Sequence, residues 1–449
     1  MKLKKIKIEK YKNLNNIEVD FPDSNVVAFI GNNGSGKSNI LEVLTEVFSL
    51  AKKHCEAKRY DIIVYPEVYG CEIKYENNGI DYILKYSKSD ISIYKGEKKL
   101  AKKEITEALP ESIIVYYAGE TDRQARTANN TFDEKYDNRL KATDNNTFPG
   151  YKFMDYYSVN DLSLLLLTAA VYQGEYYRKL LDLLKCEKVL PKTSILLKNP
   201  KGKKSDEADT YWGATGFVGS FLNELRRSVS GTQDLSIKYL MTFSEIDEFK
   251  KTSKNEGEFF TKLKALRNAG YLDRVSIELQ GQNSKPFDCE MLSEGEKQLA
   301  LLYLLTSFTA QDSCLYILDE FDAYLHPNWQ RLLSRLISDV NVLGQMLFAT
   351  HSAATISGLR SENIFIIKEG EVKTANSETY NRSLDEIMEE NMGISLRADE
   401  FKVLEIKFRD AVMHGQKRDA EAILAQIRMV ISEEDPFFIT AKIALSRMK

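Results

Sequence analysis

The sequence predicts an α/β fold whose central head is assembled from two distant parts of one chain. Near the start, the apolar run 26–30 is followed by a glycine-rich loop at residues 31–38. Much later, two further apolar runs, 315–318 and 345–349, are followed by polar or charged residues. Short apolar runs bounded in this way indicate buried strands. With 449 residues, 43% of them hydrophobic, the chain can bury one large core and a smaller appended unit.

The glycine-rich loop matches the phosphate-binding pattern G-x-x-x-x-G-K-[ST]. In this pattern the backbone N–H groups wrap phosphate oxygens, and the helix that follows directs its positive end at them. Lys37 is expected to reach the β- and γ-phosphates, and the Ser38 hydroxyl to ligate Mg²⁺. A plain strand–turn–helix has no need of the Lys-Ser ending. The predicted contacts to ATP phosphates come from Asn33, Gly34, Ser35, Gly36, Lys37, Ser38 and Asn39.

Two adjacent carboxylates, Asp319 and Glu320, follow the apolar run 315–318. Asp319 is predicted to bind Mg²⁺ through a water of that ion, and Glu320 to polarise the attacking water as general base. His351 follows the run 345–349 and fits a switch position that contacts the γ-phosphate. Ligands collect at such strand ends in open α/β sheets, so the three side chains are expected at one edge.

The segment Leu292-Ser-Glu-Gly-Glu opens a predicted helix that runs from Glu294 onward. A helix N-cap accounts for Ser293, Glu294 and Glu296 but not for Gly295. The segment resembles the signature of ATP-binding cassette proteins, which forms an anion site at a helix N-terminus. That resemblance implies that Ser293, Glu294, Gly295 and Glu296 face the nucleotide of a second subunit. The active unit would then be a dimer with ATP between two heads.

Three stretches, residues 6–14, 31–42 and 319–327, together resemble the SMC/RecF/OLD branch of the ABC ATPases rather than transporter subunits. Asn39, and the two glutamates within the signature, are the local discriminators. The resemblance covers residues 1–120 and 285–370 well. It implies an ABC-type P-loop ATPase head with split lobes, ATP and Mg²⁺ as cofactors, and heads that pair in a homodimer or a higher homo-oligomer.

A narrower resemblance rests on Phe153-Met-Asp-Tyr-Tyr, on the apolar run 162–170 that follows it and on a helical C-terminal tail. These features are similar to PtuA, the ATPase family of the bacterial Septu anti-phage systems. The resemblance implies that a separate HNH-type nuclease is the effector. It also implies that this chain regulates or scaffolds that nuclease.

One position departs from the pattern of these ATPases, which usually carry a glutamine after a strand of the first lobe. Here the predicted strand 113–117 runs into Ala118-Gly-Glu120. Either Gln124 takes over the contact to Mg²⁺ and the γ-phosphate, or Glu120 does so through water, or the contact is absent.

The motifs divide the chain into four predicted parts. Residues 1–150 form the first lobe of the head, 151–274 a mainly helical insertion, 275–395 the second lobe, and 396–449 a helical hairpin or tail. Within the insertion, a helical pattern over 159–184 would span about 40 Å, which is too short and too irregular for a coiled-coil arm. Residues 121–150 read as a long polar loop.

The tail shows apolar residues at helical spacing, with Gly415 as a helix stop between two amphipathic helices. The hairpin either packs on its own head or serves as a docking site for another subunit. Upstream, residues 185–204 hold seven lysines and one glutamate. They form either a solvated loop or a surface that contacts the phosphates of DNA.

Composition narrows the class of protein. No apolar run is long enough to cross a bilayer. The five cysteines are scattered without a C-x-x-C pair, which predicts reduced thiols. Together these observations predict a cytoplasmic bacterial protein. The tail has no D-x-D box, and four histidines form no His-Asn-His cluster, so the chain is not expected to cut DNA itself. Three functions remain open: regulation of a partner nuclease in anti-phage defence, RecF-like action on DNA in repair, and energising of a transporter.

Overall fold

A computed structural model describes residues 1–56, 69–87, 90–119, 123–131, 133–142, 148–201, 208–235, 237–282, 285–309, 313–339, 344–375, 377–380, 382–390, 399–432 and 434–447. These residues fall into two compact units, Met1–Arg382 and Ser383–Lys449. The boundaries of the four predicted parts stay a prediction.

The strands of the first unit are β1 (Lys2–Tyr11), β2 (Leu14–Asp20), β3 (Val26–Ile30), β4 (Tyr69–Asn77), β5 (Ile80–Ser87), β6 (Asp90–Lys95), β7 (Lys98–Lys99), β8 (Ser112–Tyr117), β9 (Met154–Tyr157), β10 (Cys186–Lys198), β11 (Gly231–Asp234), β12 (Lys238–Phe243), β13 (Leu272–Gly281), β14 (Phe287–Asp288), β15 (Cys314–Asp319), β16 (Gln345–Thr350), β17 (Ile364–Lys368) and β18 (Glu371–Thr374). Its helices are α1 (Lys37–Glu56), α2 (Lys102–Ala108), α3 (Arg123–Asn130), α4 (Glu134–Lys141), α5 (Leu162–Tyr172), α6 (Glu175–Leu184), α7 (Gly216–Arg226), α8 (Glu256–Asn268), α9 (Glu294–Phe308), α10 (Pro327–Asp339) and α11 (Ala353–Ile356).

The central sheet joins the two distant parts of the chain, as the sequence predicts. Its strand order is β18-β17-β3-β16-β15-β8-β9, and every pairing except β17 with β18 is parallel. Strands β3, β15 and β16 are buried along their whole length, which explains their unbroken apolar sequences. Because β3, β16 and β15 are neighbours, the phosphate loop, the paired acids and His351 all follow the same edge of this sheet.

Helix α1 lies between the central sheet and an antiparallel sheet of order β2-β1-β4-β5-β6-β7. Its apolar residues, such as Ile40, Val43 and Val47, belong to one core with Ile6 and Ile8 of β1 and with side chains of β8, β15 and β16. A helix that packs against sheets on two sides is apolar over most of its circumference. The first turn of α1, which carries Lys37 and Ser38, is therefore fixed to both sheets.

The insertion contains a sheet as well as helices. Strands β11-β12-β10-β13-β14 form a five-stranded antiparallel sheet, and β10, β11 and β12 lie within residues 151–274, which were predicted to be mainly helical. The predicted helical pattern 159–184 is wrong as a single helix, because Gln173 adopts φ 52° and Gly174 follows it, separating α5 from α6. In the described part of the chain these elements, and no long coiled coil, connect the phosphate loop to the signature.

Two polar stretches differ from their predictions for a similar reason. Residues 121–150 are not one long loop, because they contain α3 and α4. The lysine-rich stretch 185–204 is not a loop either, because Cys186–Lys198 is the central strand of the insertion sheet, with Val189, Ile195 and Leu197 buried. Residues 202–204 lie outside the described residues. In both places tertiary packing stabilises an element that the local amino-acid composition does not predict.

The second unit is helical, with α12 (Leu384–Glu390), α13 (Asp399–Met413), α14 (Lys417–Ile427) and α15 (Phe437–Arg447). The two amphipathic helices predicted in the tail are α13 and α14, and Gly415 between them has φ 70°. The unit has a core of its own, formed by Phe401, Phe408, Ala411, Ala420, Leu424, Ile427, Phe438 and Ala441. Within the described ranges, no helix of either unit is both long and apolar enough to cross a membrane.

Candidate active site

The phosphate loop connects β3 to α1 and depends on its glycines. Gly34 and Gly36 have φ of 76° and 113°, a region that side chains rarely adopt. A Cβ atom on Gly31 would lie 2.2 Å from the carbonyl oxygen of Ile367. The buried Ser35 hydroxyl has no hydrogen-bond partner among the described residues. The loop therefore has the close-packed backbone and the spare polar group of an anion cradle.

Lys37 lies folded over this loop. Its Nζ donates to the carbonyl oxygens of Gly31, at 2.9 Å, and Asn32, at 3.0 Å, and lies 3.1 Å from Nδ1 of His351. The residue is 4% exposed, and this burial lowers the pKa of Lys37 to about 8, although Asp319 and Glu320 act in the opposite direction. His351 is exposed as a residue, but partial desolvation of its ring and then the nearby Lys37 ammonium lower its pKa.

Asp319 is the centre of a second group of polar atoms. Its two carboxylate oxygens accept hydrogen bonds from Ser38 Oγ at 3.1 Å and from Gln124 Nε2 at 2.9 Å. Burial raises the pKa of Asp319 to about 7, the Ser38 hydrogen bond lowers it, and the Glu320 charge raises it. The amide oxygen of Gln124 is buried and has no partner among the described residues.

These atoms fit a Mg²⁺ ion. A hydroxyl, one carboxylate and an amide oxygen are hard ligands of the kind that Mg²⁺ accepts beside phosphate oxygens and water. The Gln124 oxygen is the observation that favours a cation at this position, because a buried acceptor without a partner among the described residues is costly. Of the two residues proposed for this contact, Gln124 reaches Asp319, whereas Glu120 lies outside the described residues.

Unlike Asp319, Glu320 has a side chain with no hydrogen-bond partner among the described residues. Its backbone N–H donates to Ala349 at 3.2 Å, which ties the end of β15 to β16. Its φ of 50° is unusual for a residue with a side chain, and strained backbone of this kind concentrates at functional sites. Within the described residues, the half-buried carboxylate makes no hydrogen bond or ion pair, so it is available to a water molecule.

A buried carboxylate beside this group, that of Asp322, was not predicted from the sequence. Asp322 accepts hydrogen bonds from the hydroxyls of Thr350, at 2.5 Å, and Thr355, and so joins the segment after β15 to the residues that flank His351. Ser352, next to His351, caps α11 and donates to the Gln330 side chain at 2.6 Å. The signal was present, since Asp322 is the third acid in Asp319-Glu-Phe-Asp.

The signature begins α9 with a reciprocal cap. Ser293 Oγ accepts from the Glu296 N–H at 3.3 Å, and the Glu296 carboxylate accepts from the Ser293 N–H at 2.9 Å. A Cβ on Gly295 would lie 2.9 Å from the Trp329 ring, so close packing of α9 on the start of α10 explains the glycine. Ser293 and Glu294 are exposed, and within the described residues no hydrogen bond joins the signature to the phosphate loop. The structure thus gathers Lys37, Ser38, Gln124, Asp319 and His351, and leaves the signature apart from them.

A glycine-rich loop before a helix, paired acids at the end of a parallel strand and a histidine after the adjacent strand define a P-loop head of the ABC type. The family described as RecF/RecN/SMC N terminal domain matches residues 2–374, so the chain belongs to this family. The predicted fold class and the SMC/RecF resemblance are thereby confirmed.

The relatives found include the Retron Vc95 probable ATPase of Vibrio cholerae serotype O1 biovar El Tor. It is 22% identical over 468 residues, which cover 93% of this chain and 84% of that protein. Among solved structures, the SMC head domain from Thermotoga maritima aligns with 84% of this chain and 100% of its own, at 16% identity and a TM-score of 0.37. The recombination mediator protein RecF aligns with 83% of this chain and 97% of its own, also at 16% identity and a TM-score of 0.37.

Proposed function

We propose that this protein is an ATPase that binds ATP with Mg²⁺ at residues 31–39 and hydrolyses it between two paired heads. The observation that carries the proposal is the meeting of Lys37, Ser38, Gln124 and Asp319 at one edge of the central sheet, with His351 against Lys37. Family membership and the similarity to a probable ATPase support it.

Each residue has a role that its contacts suit. Lys37 would exchange the carbonyls of Gly31 and Asn32 for phosphate oxygens, and Ser38, Asp319 and Gln124 would hold Mg²⁺. The bound cation supplies charge neutralisation on the phosphates. Glu320, with no partner of its own among the described residues, would accept the proton of the attacking water. His351 would contact the γ-phosphate.

The signature would act on the nucleotide of a second copy. Two large apolar residues near it, Met291 and Tyr324, are 74% and 57% exposed. Large exposed apolar patches mark sites where proteins meet, and we propose that these two side chains belong to such a patch. We place Ser293, Glu294, Gly295 and Glu296 at the junction of two heads, which makes hydrolysis depend on dimerisation.

In the cell, we propose that this cytoplasmic ATPase regulates or scaffolds a separate nuclease of HNH type in a Septu-like anti-phage system. The similarity to a retron's probable ATPase supports a role in defence. The second unit offers a surface for such a partner, because Val403, Ile406, Met413, Met429, Ile439 and Ile443 are all at least 48% exposed. RecF-like action on DNA is the alternative.

Lys37→Ala tests ATP binding. We expect the dissociation constant for ATP to rise about 10- to 100-fold, because a charge-assisted hydrogen bond contributes about 1.5–3 kcal/mol. Titration calorimetry with ATP and Mg²⁺ measures it. Lys53→Ala, in the last turn of the same helix, is the matched control and should bind like the wild type. Equal binding by Lys37→Ala and the wild type would refute the assignment.

Gln124→Ala tests the magnesium side of the site. We expect slower turnover and a higher Mg²⁺ concentration for half-maximal rate, because the variant removes an oxygen ligand and leaves Asp319 with one hydrogen bond fewer. The measurement is ATPase rate against Mg²⁺ concentration, with Gln233→Ala on the exposed strand β11 as control. An unchanged Mg²⁺ dependence would exclude Gln124 from the metal site.

The assignment of DNA cleavage to a separate nuclease is tested with the protein encoded next to this one. We expect the purified chain to leave DNA intact with ATP and Mg²⁺, and cleavage to require the partner.

Ile406→Asp with Met429→Asp should release that partner without lowering ATP binding, because both side chains are exposed in the second unit. Light scattering of the mixture measures the complex, and Lys402→Asp on the same helix is the control. DNA cleavage by the chain alone would overturn the proposal.

A further inference from the structure

The turn between β1 and β2 lies across the start of α1. The last residue of β1 and the two turn residues after it contact three positions of the helix that share one face, since these positions are three and four residues apart. Asn13 Oδ1 accepts from Asn39 Nδ2 at 2.6 Å, and Lys12 Nζ lies 2.5 Å from the Glu42 carboxylate. One turn further on, Tyr11 donates its hydroxyl hydrogen to the Glu46 carboxylate at 3.4 Å.

Asn13 also reaches the phosphate loop itself. Its Nδ2 donates to the carbonyl oxygen of Gly34 at 2.8 Å, while its Oδ1 holds Asn39. A Cβ on Gly36 would lie 3.0 Å from Asn13 Oδ1 and 2.6 Å from Leu14, so the turn is packed against the loop. One amide group therefore connects the middle of the loop to the first turn of α1.

The two hydrogen bonds of the Asn13 side chain restrain the part of the loop that by itself has the most conformational freedom. Gly34 has φ 76°, and a glycine loses more conformational freedom on ordering than any other residue. The same peptide unit is also held from inside the loop, because the Ser35 N–H donates to the Asn32 carbonyl at 3.2 Å. The Asn13 amide provides both the donor for Gly34 and the acceptor for Asn39; a carboxylate at this position would lack the donor.

We propose that Asn13 is a positioning residue of the nucleotide site, which preorganises the loop by holding Gly34 and Asn39 in their binding geometry. The inference rests on the proposed ATP-binding function. Asn13 acts on affinity through the loop and has no part in the proton transfer assigned to Glu320. Its loss therefore raises KM and the dissociation constant for ATP, while kcat at saturating ATP stays within about twofold of the wild-type value.

The test is a double-mutant cycle on ATP binding with Asn13→Ala, Asn39→Ala and the double variant. We expect Asn13→Ala to weaken ATP binding about tenfold, from two hydrogen bonds of about 1 kcal/mol each with partial replacement by water. The double variant should bind more tightly than the product of the two single effects predicts, because both singles break the same bond. Lys10→Ala, at an exposed position of β1 in the same hairpin, is the control.

The outcomes separate the two proposals. If the wild type itself does not bind ATP, the proposed function fails. If the wild type binds and Asn13→Ala binds equally well, or the two substitutions combine additively, the positioning role fails alone. A merely structural role would lower the melting temperature without changing KM. Should Asn13→Ala fold poorly, Asn13→Asp keeps the acceptor for Asn39 and loses the donor for Gly34; ATP binding equal to the wild type at high salt would then overturn the inference.

Discussion

Replacing Glu320 with glutamine should leave ATP binding intact and lower the rate of hydrolysis about 10²- to 10⁴-fold. Glutamine has the size of glutamate, but its amide cannot accept the proton of the attacking water. The carboxylate makes no hydrogen bond to the described residues, so the substitution breaks no contact of the fold within that part of the chain. The loss should therefore appear in kcat, with little change in melting temperature.

Two measurements check this expectation: calorimetry for ATP affinity and phosphate release for turnover. Glu371→Gln is the matched control, because its carboxylate is exposed on β18 and pairs with Lys373. A head that binds ATP without hydrolysing it should also accumulate as a dimer when ATP is added, which light scattering detects. Wild-type turnover by Glu320→Gln would assign the base to another residue, and loss of ATP binding would assign Glu320 to the binding of phosphates.

Ser293→Arg should abolish hydrolysis and ATP-driven pairing while a single head still binds ATP. The side chain is exposed at the start of α9 and bonded to Glu296, so an arginine there projects from the surface. In the proposed dimer it would meet the partner's nucleotide. Loss of the cap should cost about 1 kcal/mol of stability, which is too little to unfold the head.

The matched control uses a second cap of the same kind. Ser383 and Glu386 form the equivalent pair at the start of α12, in the unit that lacks the phosphate loop. Ser383→Arg should reproduce the small loss of stability and leave hydrolysis unchanged. Mixing Ser293→Arg with Lys37→Ala chains should restore part of the activity, because a heterodimer keeps one composite site with an intact loop and an intact signature. No activity in mixtures that are shown to contain heterodimers would contradict sharing between subunits.

The strands that build the site could be predicted because they are buried on both faces. Their sequences are short apolar runs, and Asp319, Glu320 and His351 lie directly at strand ends. The Ser293 cap could also be predicted, because a serine followed three residues later by a glutamate is a local sequence signal of a helix N-terminus. Such features depend only on residues that are close together in the sequence, so one sequence is enough to predict them.

The choice of Gln124 over Glu120 could not be predicted, because it depends on a helix that the sequence does not indicate. Helix α3 has few apolar residues, yet it packs against α1, β8 and β9, and its buried Ala128 belongs to the core of the first unit. These contacts hold α3 beside the end of β15, where Gln124 donates to Asp319. They join segments that are distant in sequence, so local composition does not encode them.

The contacts of Lys37 have a consequence for how tightly a nucleotide can be held. Two backbone carbonyls and an imidazole nitrogen already surround this ammonium group at 2.9–3.1 Å. In the proposed ATP complex, phosphate oxygens would displace these partners, so the net gain in binding free energy would be the difference between two sets of contacts. The same carbonyls and imidazole would bind the ammonium again as products depart. The contacts of Lys37 would therefore lower the affinity of the loop for both substrate and product.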